Sequence, residues 1–191
     1  MKEKHKTFKN QNNMNFFKTI VLVFIVSLFS CNTRIEAQQS SGSDELKQQI
    51  NSNLNTWHKA AAEANFTNYF ELMTKDAVFI GTDATENWQI DDFKAFCKPY
   101  FDKGRAWNFT AIERNIYLSE DKIYAWFDEL LDTQMKICRG SGIMRLENDK
   151  WKVAHYVLSI TIPNENVSEV TQMKKEFDSL FTKNLMQKNK N

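Results

Sequence analysis

Four strand-like runs fill the stretch from Trp107 to Ile162, and they restrict the fold more than any other feature of the chain. They read WNFTAIERNIYLS, KIYAWFDELLDT, QMKICRGSGIMRLE and KWKVAHYVLSITI. The separators EDK and NDK carry hairpin-turn chemistry, so the runs form a meander of long antiparallel strands. Helical periodicity precedes them. In DELKQQINSNLNTWHKAAAEAN, Leu46, Ile50, Leu54, Trp57 and Ala61 recur at spacings of three and four, with Ser43 or Asp44 as caps. FTNYFELMTK reads as a second short helix and DAVFIG as a strand. IDDFKAFCKPYFDKG is a third helix, its N-terminus favoured by Asp91 and Asp92 and its stop marked by Gly104. Helices ahead of a meander give an α+β fold, with three N-terminal helices packed on one face of a strongly curved antiparallel sheet.

The ends are different in kind. Residues 1–30 combine a lysine-rich start with the apolar run TIVLVFIVSLFS, the pattern of a signal peptide and too short for a spanning helix. LFSC, ending at Cys31, matches a bacterial lipobox, so Cys31 is the expected lipidation site and the chain is expected to be exported and lipid-anchored. Cleavage after Ala37 is the alternative and gives a periplasmic or secreted protein. Residues 31–43 read as a flexible tether, 44–165 as the domain and 166–191 as a C-terminal amphipathic helix. On that last helix Val167, Val170, Met173, Phe177, Leu180 and Phe181 form an apolar stripe to be covered by the domain or by a second subunit.

Charge and motif spacing exclude several functions. Residues 1–30 hold five of the 25 basic and one of the 24 acidic residues, so the remainder carries 20 against 23, a net charge of −3. That balance argues against nucleic-acid binding. No CxxC or HExxH is present, and neither a nucleophile elbow, a phosphate loop nor a dinucleotide fingerprint appears, so no metal or cofactor is expected. Cys97 and Cys138 have apolar neighbours and read as buried free thiols, with a disulfide as the alternative.

With the element order in place, GTDATENW (81–88), AWFDE (125–129), RGSG (139–142) and WKVAHYVLS leading into IPNE resemble, in that order, the SnoaL-like branch of the nuclear transport factor 2-like superfamily. These are relatives of the ketosteroid isomerases. The resemblance covers about residues 46–165. It implies a cone-shaped, cystatin-like roll with a pocket among strands and helices, and a homodimer. Activities in that superfamily range from isomerases to plain binding domains, so it assigns no reaction.

Candidate site residues follow from the acids and from strand alternation. Asp83 and Glu86 fit the D-x-x-E capping box, a purely structural role, or else stand at a pocket mouth as acceptor or base. His155, read on one face with Trp151, Val153 and Val157, completes the catalytic candidates if Asp83, Glu86 or Glu129 lies within hydrogen-bond reach. His58 reads as facing solvent. A Glu129–Arg139 cross-strand pair is expected, set either on the sheet surface or among the aromatic residues Phe79, Trp88, Trp107, Trp126 and Tyr156 of a ligand pocket. A register slip of one residue reverses each such assignment. The leading expectation is an exported domain binding a small, largely apolar molecule. The alternatives are an acid–base enzyme of isomerase, dehydratase or hydrolase type and a dimerising interaction module.

Overall fold

The computed structural model describes residues 42–189. The expected signal segment, Cys31 and the tether up to residue 41 lie outside the described residues. The chain divides into two compact units, residues 1–50 and 51–191, and everything below concerns the second unless stated.

Helix α1 covers residues 42–62, so it is already under way at the last two positions of the expected tether. Within the second unit its buried residues are Leu54, Trp57, His58, Ala60 and Ala61. Ala64, with φ of 52°, ends it, and the Asn65 side chain accepts from the Asn68 N–H to cap α2 (Phe66–Glu71). Strand β1 (Met73–Ile80) therefore begins earlier than expected, taking over MTK from the predicted second helix. Pairing explains the difference, since the Val153 N–H donates to the Leu72 carbonyl and Met73 lies opposite Val153.

After β1 come a turn, the short strand β2 (Asn87–Gln89) and α3 (Ile90–Asp102). The meander follows as β3 (Phe109–Leu118), β4 (Tyr124–Thr133), β5 (Lys136–Glu147) and β6 (Lys150–Ile160), close to the expected bounds. The turn between β5 and β6 places Asn148 and Asp149 at φ of 50° and 60°, as a two-residue hairpin loop requires. The six strands run in the order β2-β1-β6-β5-β4-β3. The sheet is mixed rather than purely antiparallel, because β6 returns from the meander to lie parallel to β1.

Two bulges decide which side chains face the helices. Between Ala111 and Glu113 of β3, Ile112 is the extra residue and points outward, 58% exposed. Alternation resumes one step later and brings Arg114 opposite Glu129 of β4. In β6, Ala154 is the extra residue between Val153 and His155. Trp151 and Val153 are buried before the bulge, and Tyr156 and Leu158 after it. Cys97 and Cys138 are buried free thiols, in agreement with the sequence. Helix α4 (Val167–Lys188) follows a single 3-10 turn and contains no buried residue.

Candidate functional site

Alternation along β4 buries Ala125, Phe127, Glu129 and Leu131 and turns Trp126 outward. Glu129 is therefore a carboxylate in the core, with no exposed surface. Its Oε1 lies 2.8 Å from His58 Nε2 and accepts from the Tyr156 hydroxyl at 2.9 Å. Its Oε2 accepts from Arg114 Nε at 2.8 Å and lies 2.7 Å from Nη2. Arg114 Nη1 then reaches α1, donating to Asn51 Oδ1 at 2.6 Å and Asn55 Oδ1 at 2.8 Å. Asn51, Asn55 and His58 are spaced by four and three residues, so one polar stripe of α1 is bonded to β3 and β4, and through Glu129 the network extends to Tyr156 of β6. Burial alone would push the Glu129 carboxyl up. The hydrogen bond and charge of His58, with the charge and hydrogen bonds of Arg114, outweigh it and hold the group below its ordinary value. Burial, then the Glu129 charge, keep the Tyr156 hydroxyl well above its ordinary range, so it stays a donor.

Gly140 makes room for this network. It lies opposite Glu129 in the β4–β5 register, and a Cβ there would overlap the Tyr156 hydroxyl and come within 2.9 Å of Glu129 Oε1. This register overturns the expected Glu129–Arg139 pair. Arg139 stands opposite Leu130, on the other face of the sheet, half-exposed and 3.9 Å from Asp128. His58 does not face solvent. It is 4% exposed and supplies the carboxylate–histidine contact that was expected of His155. His155 is half-buried beyond the β6 bulge, where it pairs with Ile143, and the bulge separates it in parity from Trp151 and Val153. The sequence did hold a signal for His58: it stands four residues after Leu54 and beside Trp57, on the buried face.

A cavity of about 180 Å³ opens beside the network. Phe79, Trp88 and Trp107 line it, joined by Phe93, Phe96 and Phe109. The rings are contiguous: Phe79 stacks on Phe93 at 4.1 Å, Trp88 on Phe96 at 4.4 Å, and Phe93 on Trp107 at 6.0 Å. Phe79 also stacks on Tyr156 at 5.5 Å, which couples the lining to the buried network, although neither Tyr156 nor Glu129 lines the cavity itself. Trp126 does not contribute. It is 50% exposed on the outer face and stacks on Tyr117.

Polar groups reach the cavity from two turns. The β4–β5 loop contributes Gln134 and Met135, held by Thr133 Oγ1, which donates to the Lys136 carbonyl and accepts from the Met135 N–H. The strap between β1 and β2 contributes Gly81, Thr82 and Glu86. Glu86 Oε2 accepts from the Asp83 N–H at 3.2 Å, which is the glutamate half of the capping box, although no helix follows. Asp83 lies in the exposed strap outside the lining. The hydrogen bonds of Thr85, side chain first and then backbone, hold its carboxyl below the ordinary value. A Cβ at Gly81 would overlap the Glu86 carboxylate, so the position of that side chain depends on the glycine. Asp83, Glu86 and His155 thus do not meet in one place.

The model of the SnoaL-like domain family matches residues 50–163. This chain belongs to the SnoaL-like family. No curated protein matches its sequence. Among solved structures, an NTF2-like protein of unknown function from Pseudomonas putida is 13% identical, with a TM-score of 0.51 over 62% of this chain and 89% of its own. The association domain of CaMKII from C. elegans is 18% identical, with a TM-score of 0.52 over 61% and 97%. At such identities the likeness establishes the nuclear transport factor 2-like α+β fold and nothing about activity.

Proposed function

We propose that this SnoaL-like domain binds a small, largely apolar molecule in the aromatic cavity, and that it does so outside the cytoplasmic membrane, tethered through Cys31. One observation carries the binding reading: six aromatic residues line a single cavity to which only a few polar groups, Thr82, Glu86 and Gln134, are added. The volume of about 180 Å³ suits one ring, since an apolar cavity of about 150 Å³ holds a benzene. Arg139 and Glu129 are not the groups that orient the guest. Glu86 and Gln134 take that role. The location rests on the basic start, the apolar run and Cys31 in the sequence.

The test is saturation-transfer NMR on the full-length protein with benzyl alcohol as probe. Saturable transfer that is lost in Trp107→Ala supports the reading. Absence of saturable transfer from a folded wild-type protein would remove it. A second reading, an assembly module acting with another copy, is favoured by α4, where Met173, Phe177 and Leu180 are 77, 52 and 60% exposed. A sedimentation profile unchanged by Phe177→Lys would count against that second reading.

A further inference from the structure

The cavity lining combines aromatic rings with one charge of one sign. Of the twelve lining residues six are aromatic, one is a carboxylate and none is lysine, arginine or histidine. A neutral apolar guest would be served by the rings with Met135 and Leu158, and it would make no use of the charge on Glu86. The carboxylate is nonetheless held in place. The missing Cβ of Gly81 gives it room, and the Asp83 N–H fixes Oε2. Backbone bonds from the Gly81 N–H to the Glu86 carbonyl, and from the Glu86 N–H to the Asp83 carbonyl, close the strap around it. Asp83, on the same strap, adds a second negative charge.

Aromatic faces are the negative side of the ring quadrupole, and a cation within about 6 Å of a ring centroid is attracted to them. A ring face open to the cavity and the carboxylate would favour the same guest, while an anion would be repelled by both. A bare ammonium has three donors to satisfy and is strongly hydrated. Thr82, Glu86 and Gln134 are the polar side chains in the lining, a thin set of acceptors for it. An alkylated ammonium sheds water more readily and fills space as a hydrocarbon does. We propose that the ligand class is a small organic cation, an ammonium bearing methyl or similar alkyl groups, seated among Trp88, Phe93, Phe96 and Trp107 with its charge toward Glu86. This inference rests on the binding reading above. Trp88 is half-buried and Phe96 is 37% exposed, so the rings are reachable from solvent.

The experiment titrates the full-length protein by NMR with choline and with 3,3-dimethylbutan-1-ol, its neutral carbon isostere. The expected result is choline binding tighter by about tenfold, the order expected when a cation is added to an aromatic site. Glu86→Gln should lower choline affinity by about the same factor and weaken the alcohol much less, because glutamine loses the charge but keeps an oxygen for the Asp83 N–H and for a hydroxyl. Equal affinities in the wild type, which need no variant to interpret, would overturn the cation class while leaving an apolar pocket standing. If neither probe nor benzyl alcohol binds the folded protein, the pocket reading fails and this inference fails with it.

Discussion

Glu129 shows how much one residue can organise. It is a fully buried carboxylate whose two oxygens meet His58, Tyr156 and Arg114, so truncating it strands a buried arginine as well as deleting its own bonds. Glu129→Ala should cost about 3–5 kcal/mol, the usual range for breaking a buried pair from one side, measured by denaturant unfolding. A loss under about 1 kcal/mol would mean that the network relaxes or admits water. The pH dependence has a definite sign. The folded-state value lies below the ordinary 4.5, so the contribution is present above that value and is lost as the pH falls through the folded value. The melting gap between wild type and Glu129→Gln should therefore narrow from pH 7 to about pH 3, and a constant gap would contradict the assignment. Gly140→Ala tests the same network sterically, because its Cβ would overlap the Tyr156 hydroxyl. About 1–3 kcal/mol of destabilisation is expected, with His58 and Tyr156 resonances shifted in NMR spectra.

At the scale of elements, sequence periodicity located nearly every long segment, and the errors cluster where periodicity is interrupted. Long strands β3 to β6 and helix α3 lie close to their expected bounds because each repeats its pattern several times. Strand β2 has three residues, too few to show alternation, so the GTDATENW strap was read as a helix cap instead of the turn of a hairpin. Bulges at Ile112 and Ala154 each reverse parity once. That is why Arg114 was missed as the partner of Glu129 and why His155 was placed on the wrong face. His58 was misread for a different reason, since polarity alone suggested solvent at a position that the helical spacing had marked as buried. The expected C-terminal helix is present as Val167–Lys188, yet it has no buried residue. Deleting residues 166–191 should therefore leave the melting temperature within about 2 °C, the scale of a stability change of about 0.5 kcal/mol or less. A larger drop in a calorimetric scan would show that α4 is covered in solution, and a dependence of that drop on protein concentration would identify a second copy as the cover.

For the whole molecule, the fold and the function rest on different kinds of evidence. The family match and the solved relatives establish the SnoaL-like α+β architecture, but that architecture accommodates a protein of unknown function and an association domain alike. A function for this chain has to be argued from local features: six rings and Glu86 around one cavity, and a separate carboxylate network that bonds α1 to the sheet. Its proposed place at a membrane depends on other residues again. Among the described residues no helix is long and apolar enough to cross a membrane, and the attachment proposed above is through Cys31. A diacylated cysteine suffices for stable anchoring because each buried methylene contributes about 0.8 kcal/mol and two chains hold where one is only marginal. If the proposed tether holds, Cys31→Ala moves the protein from the membrane fraction to the soluble fraction and abolishes incorporation of labelled palmitate. Retention in the membrane without label would assign the attachment to the apolar run of residues 19–30, kept as an uncleaved anchor. Release of the unmutated wild-type protein into the soluble fraction would point instead to cleavage after Ala37.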